Sequence, residues 1–283
     1  MSVFITSLNS GSNGNCYYIG NANEAVLVDA GISCREIVKR MKRLGLEMGK
    51  VKAVFISHEH IDHISGVVQL SKQFQLPVYI TGGTFKGSAL RLEPHLTFTF
   101  TAFQPITVGG LTVTAFPKYH DAADPHSFIV EHNNITIGII TDIGVCCDNV
   151  IKHFSRCHAA FLEANYDVEM LANGGYPYHL KKRISGGHGH ISNLQALELF
   201  TKHRPAFMGH LILSHLSKNN NSPALVKELF EKHASGVKIT VASRFEETPV
   251  FEIDTTYTYT PAPKKAKSYA RSRQNTLQLS LFQ

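Results

Sequence analysis

The sequence predicts an α+β or layered α/β fold, with β-sheets in the middle and helices outside. Two observations predict it. From residue 1 to about 254, short apolar runs bounded by Gly, Asn and Asp alternate with stretches of helical spacing. Their order is strands, a helix, a strand, a helix, many strands, then helices and strands again.

Taken in order, VFITSL, CYYIG and AVLVDAG read as strands. CREIVKRMKRLGL carries apolar residues at helical spacing and reads as an exposed amphipathic helix. VKAVFIS is a buried strand that runs directly into HEHIDH at residues 58–63. ISGVVQLSKQF reads as one helix and PVYIT as a strand. Residues 97–118, 127–131 and 135–141 read as further strands, and FMGHLILSH (207–215) as a buried strand ending in histidine. Ser192 with Gln195 fits a capping box, and Ser222 before Pro223 fits an N-cap with Pro at the first helical position. No internal repeat is legible.

The chain has 283 residues and is 43% hydrophobic, enough for a real core. No apolar run reaches the roughly 18 residues of a membrane span, and MSVFITSLNS does not read as a signal peptide. The five cysteines form no CxxC pair, and an odd count fits a reduced cytosolic chain. A net charge of +6 favours an anionic partner such as nucleic acid, although much of the excess lies in the C-terminal segment. Sixteen histidines beside no tryptophan make the histidine positions worth following.

The expected organisation is a catalytic domain over 1–254 and a basic tail over 255–283. The stretch TTYTYTPAPKKAKSYARSRQNT is polar and poor in large apolar residues, so disorder is expected there. It ends in QLSLFQ, which is apolar again.

HEHIDH places His58, His60, Asp62 and His63 within six residues, just beyond a buried strand. Such a turn can aim two imidazoles at one metal and a carboxylate and a third imidazole at a neighbour. Asp142 ends ITIGIITD, His120 follows LTVTAFPKY, and His215 closes FMGHLILSH. Each is a ligand-type residue where a strand meets a loop. His126 is the rival of His120.

HEHIDH followed by KYHDAADP, IITDIG and LSHLS resembles the metallo-β-lactamase superfamily in order and spacing, over roughly residues 1–254. The resemblance implies an αββα sandwich of two mixed sheets with the site at one edge. It also implies two divalent metals. His58, His60 and His120 would hold the first, Asp62, His63 and His215 the second, and Asp142 would bridge them. Asp29, ending AVLVDAG, would support the ligands from behind. SLNSGSNGNCYYIG, FLEANYDVEML, GYPYHLKKRISGGHGHISN and LSHLSKNNN are similar to the YycJ/WalJ-type branch, associated with DNA exonuclease activity and repair. They are also similar to the tRNA 3′-processing endonuclease branch. That similarity makes Glu163 and His190 a proton-handling pair, with Asp62 also catalytic. Plainer alternatives are that Glu163 caps a segment and that His190 packs at a helix start. Asp167 and His188 are the rivals within the same motifs.

The implied chemistry is phosphodiester hydrolysis by a water of lowered pKa, on Zn2+ or Mn2+. The implied function is a DNA exonuclease, 5′ to 3′ on double-stranded DNA. Alternatives on the same fold are a tRNA 3′-processing endonuclease and a small-molecule phosphodiesterase or thioester hydrolase. Ser10, Ser12 and Asn13 of SGSNGN, and the basic run Lys181, Lys182 and Arg183, are candidate phosphate contacts. The plainer readings are a tight strand connection and a solvated face. Gln278, Leu279, Ser280, Leu281 and Phe282 resemble the bacterial sliding-clamp binding pentapeptide. The polymerase sliding clamp is therefore an expected partner, alongside DNA, in the cytosol.

Overall fold

The computed structural model describes residues 2–255. The tail and its QLSLF segment lie outside the described residues. Two seven-stranded mixed sheets stack face to face. The first contains β1 (Val3–Asn9), β2 (Cys16–Gly20), β3 (Ala25–Val28), β4 (Val51–Phe55), β5 (Val78–Tyr79), β6 (Thr97–Phe98) and β14 (Phe251–Ile253), in the order β14-β1-β2-β3-β4-β5-β6. The second contains β7 (Pro105–Val108), β8 (Leu111–Pro117), β9 (His126–His132), β10 (Ile135–Ile140), β11 (Ala159–Glu163), β12 (His210–Ser214) and β13 (Lys238–Val241), in the order β13-β12-β11-β10-β9-β8-β7.

Each sheet is antiparallel in one half and parallel in the other. The antiparallel pairs in β1–β3 and β7–β10 follow short connections. The parallel pairs β3–β4, β10–β11, β11–β12 and β12–β13 need crossovers, which helices provide. These are α1 (Cys34–Arg43), α5 (Asp148–Phe154), a run of three helices, α6 (Val168–Asn173), α7 (Tyr178–Ser185) and α8 (Asn193–His203), and then α9 (Pro223–Glu231). Parallel strands share a direction, so the C-terminal ends of β3 and β4, and of β10, β11 and β12, open toward one edge of the sandwich.

Apolar packing has three parts. Ile5, Tyr17, Val28, Phe55, Phe128 and Phe161 fill the space between the sheets. Ile37, Met41, Val67 and Leu70 cover the outside of the first sheet, and Phe154, Leu199, Phe200 and Phe230 the outside of the second. Central strands are therefore buried on both faces, which is why AVLV and HLILS are apolar without alternation. The layering is αββα.

Some elements differ from the sequence expectation. The helix expected over ISGVVQLSKQF forms only from Val67, as α3 (Val67–Phe74), and a separate short turn, α2 (Ile61–Ile64), precedes it within HEHIDH. Gly66 sits at the break because an added Cβ would lie 2.0 Å from the Ile32 carbonyl oxygen. Asp62 and His63 therefore sit in a short separate turn with His60 at its N-cap. The capping box at Ser192 forms as expected, with Gln195 returning the bond. Ser222 precedes Pro223 at the helix start but makes no side-chain cap.

Candidate metal centre

The HEHIDH segment leaves β4 and wraps over the sandwich edge. Asp29, Asp142 and His215 follow β3, β10 and β12, and all three have left-handed backbones, with φ of 60°, 54° and 55°. For residues with a Cβ this conformation is uncommon and costly, so the surrounding structure must hold it. The turn brings each of these side chains into the cluster instead of letting the strand run on.

Two trios result. His58 Nε2 lies 3.1 Å from His60 Nδ1, and His120 Nε2 lies 3.4 Å from the same atom. Beside them, Asp62 Oδ2 lies 3.7 Å from His63 Nε2 and 3.6 Å from His215 Nε2. Asp142 stands between, with Oδ2 3.4 Å from His63 Nε2 and Oδ1 2.9 Å from His215 Nδ1. His58–His60–His120, Asp62–His63–His215 and His58–His63–Asp142 each offer ligand atoms within 4.8 Å of one another.

Neighbouring groups fix the rings. Asp29 Oδ2 is 2.7 Å from His63 Nδ1 and accepts from the Ser57 hydroxyl at 2.8 Å. His120 Nδ1 donates to the Gly189 carbonyl at 2.9 Å, which turns Nε2 toward His60. Asn165 donates to the His215 carbonyl at 2.8 Å. Such partners set which ring nitrogen faces the centre.

Glu163 ends β11 and is fully buried. Its Oε2 accepts from the Ile143 N–H at 2.7 Å, and its Oε1 lies 2.6 Å from His190 Nδ1. His190 Nδ1 is 3.9 Å from Asp142 Oδ1, so the pair adjoins the two trios.

The electrostatics divide the site. Burial, with the His63 charge adding to it, pushes His58 well below the ordinary histidine value. Burial likewise brings His120 down to about 3 against the pull of Asp142. His63 is also opposed by burial, yet the Asp142, Asp29 and Asp62 carboxylates overturn it and lift His63 to about 10. His215 is raised well above its usual range by Asp142 in the same way. Burial would raise Asp142, but His215 and His63 hold it far below the carboxylate range. Asp62, likewise opposed by burial, is brought to about 2 chiefly by His63 and His215.

This donor set fits divalent cations. Asp142 Oδ2 and both His215 ring nitrogens are buried and make no well-aligned hydrogen bond, although carboxylate and imidazole atoms crowd within 2.9–3.6 Å of them, so converging lone pairs are left that a cation would satisfy. Imidazole nitrogen and carboxylate oxygen suit Zn2+ and Mn2+ alike.

Other expected residues fall elsewhere. His126 packs on Phe100 with its Nδ1 3.0 Å from the Asp124 carbonyl, away from the trios. His188 is exposed against Tyr119, and Asp167 caps α6 through Met170 N. Ser10, an expected phosphate contact, is drawn toward the second trio. Its buried hydroxyl accepts from His215 N–H at 2.8 Å and pairs with the Tyr17 hydroxyl. Ser12 and Asn13 are exposed and bond Arg244. Lys181 reaches the Ala172 carbonyl, Arg183 pairs with Asp121, and Lys182 is exposed.

Sequence reasoning missed Ser57, Asn15 and the buried Lys118, whose Nζ donates to the Thr141 carbonyl at 2.7 Å. Lys118 lies two residues before His120, and a lysine inside an apolar strand end was its only signal.

Residues 24–216 match the family model described as the beta-lactamase superfamily domain, and the chain belongs to that family. It is a metallo-β-lactamase-superfamily hydrolase on a fold that binds divalent metal. Among curated proteins, it is 32% identical to exodeoxyribonuclease YycJ of Bacillus anthracis, over 84% of this chain and 92% of that protein. It is 30% identical to exodeoxyribonuclease WalJ of Streptococcus pneumoniae, over 78% and 83% respectively. Among solved structures, the metallo-beta-lactamase fold protein YhfI from Bacillus subtilis superposes with a TM-score of 0.69 at 19% identity, over 89% of this chain and all of that one.

Proposed function

We propose that this protein is an exodeoxyribonuclease that hydrolyses DNA phosphodiesters, 5′ to 3′ on double strands, in replication-linked or mismatch repair in the cytosol. The observation that carries the reading is the Glu163–His190 contact beside the paired trios. The two relatives named exodeoxyribonuclease, aligned over most of their length, supply the substrate class.

On this reading His58, His60 and His120 would hold one Zn2+ or Mn2+, and Asp62, His63 and His215 would hold another, with Asp142 available to both trios. When bound, such cations supply a water of lowered pKa and positive charge for the phosphate oxygens. Asp29 and Gly189 keep His63 and His120 turned the right way. Asp62 anchors the second trio. Glu163, itself pinned by the Ile143 N–H, engages His190 Nδ1 and leaves Nε2 to pass a proton to the departing oxygen. The proposal includes the 1–254 catalytic domain and a tail whose Gln278–Phe282 segment docks on the sliding clamp, supported by its sequence alone.

A digestion panel tests the function. It would use 5′- and 3′-labelled single- and double-stranded DNA and a pre-tRNA, with Zn2+, Mn2+ or chelator, for wild type and Asp62→Ala. The expected result is metal-dependent release of nucleotides from DNA 5′ ends, absent in Asp62→Ala. Cleavage of the pre-tRNA alone would transfer the site to tRNA 3′ processing.

A further inference from the structure

A cavity of about 330 Å3 lies where the loops after β1, β12 and β13 meet. Ser10 lines it and joins it to the centre. Its hydroxyl accepts from His215 N–H, and its own N–H donates to the Ser243 carbonyl at 3.1 Å. The cavity has an apolar wall, to which Leu216 and Val241 contribute, and two cations, Lys218 and Arg244. Phe245 stands at its edge with 75% of its surface exposed. Glu246 also contributes a carboxylate to the lining, but it is exposed and therefore screened by solvent.

Arg244 is the unusual member. One of its terminal nitrogens, Nη2, donates to Ser12 Oγ at 3.0 Å and more weakly to Asn13 Oδ1. The other, Nη1, is buried and has no hydrogen-bond partner. Among the described residues no carboxylate lies within ion-pair distance of it. An idle guanidinium donor next to a cavity leaves hydrogen-bonding capacity that water, or an anion entering the cavity, can complete. The planar fork suits a phosphate, and an exposed ring beside it suits any nucleobase face.

We propose that this cavity is a nucleotide subsite, which takes the phosphate of a strand-terminal nucleotide on Arg244 and Lys218 and stacks its base on Phe245. The assignment rests on the nuclease reading and adds to it the place where a strand end is held.

Titration calorimetry with thymidine 5′-monophosphate, thymidine and inorganic phosphate, on the full chain in chelator, tests it without any hydrolysis. The monophosphate should bind more tightly than either fragment. Arg244→Ala should weaken it at least about tenfold, Arg244→Lys less, and Phe245→Ala about tenfold. Circular dichroism checks each fold, and the surface position of Phe245 keeps that variant decisive if Arg244→Ala does not fold. Absence of binding in wild type, or equal affinity in wild type and variants, overturns the subsite and leaves the nuclease reading standing. Binding as expected by a protein that cuts no DNA sinks the nuclease reading instead.

Discussion

At the residue scale, the Glu163–His190 contact makes a sharp prediction. If the pair moves a proton as a unit, His190→Ala should lower kcat by about 10²- to 10⁴-fold. Glu163→Gln should give a similar loss, and the double variant little more than either alone. Multiplicative losses in a steady-state cycle would show two independent roles. Single residues also decide the centre's shape. The left-handed Asp29, Asp142 and His215 each leave the direction their strand set, and so turn three ordinary strand ends into converging ones. Asp142→Asn tolerates that backbone and keeps the volume, so its effect isolates the charge. Metal content by elemental analysis should fall in Asp142→Asn without loss of helical or sheet content.

At the element scale, the turn carrying His58 to His63 works because three backbones meet without side chains between them. A Cβ on Gly31 would lie 1.7 Å from the Asp62 carbonyl oxygen and 2.6 Å from Asn15 N. Asn15 N–H donates to that same carbonyl at 2.7 Å, and Gly31 N–H donates to the Asn15 carbonyl at 2.8 Å. Backbone cannot retreat as a flexible side chain can. Gly31→Ala should therefore displace Asp62 and reduce metal affinity at least about tenfold, a loss comparable to that from disturbing a ligand's supporting partner. A competition assay with a metal-binding dye measures this, and unchanged affinity would show the turn to be pliant.

At the scale of the whole molecule, burial sets a pH limit on the fold. His210 is fully buried, with Nε2 2.8 Å from Thr240 Oγ1, and burial brings its pKa down to about 3. In the unfolded chain a histidine titrates near 6.5. Between those values the unfolded state binds a proton that the folded state refuses. The stabilisation is therefore complete above about pH 6.5 and is lost as pH falls toward 3, with a slope of up to about 1.4 kcal/mol per pH unit. Urea melts of His210→Gln from pH 7 to 4 should show a shallower slope than wild type, and parallel slopes would remove His210 as the cause. His153, stacked on Phe116 and brought to about 4 mainly by burial, contributes in the same direction. Among the described residues, no helix is long and apolar enough to cross a membrane.

The sequence by itself determined what is local. Apolar runs gave the buried strands, the Ser192 capping box gave a helix start, and HEHIDH gave four ligand-type side chains in one turn. Only the tertiary structure decided which distant residues join them. His120 and His126 lie six positions apart and were equal in residue type. The end of β8 carries the first to His58 and His60, while the start of β9 seats the second on Phe100. Similarly, the Gly-rich loop before α8 brings His190 to Glu163 and leaves His188 on the surface. Arg244, more than 230 residues from Ser12, had no sequence signal linking the two. The reason is physical. Local order follows from side-chain periodicity and backbone preference within a few residues, whereas these meetings depend on strand register and loop path, which packing of the two sheets fixes all at once.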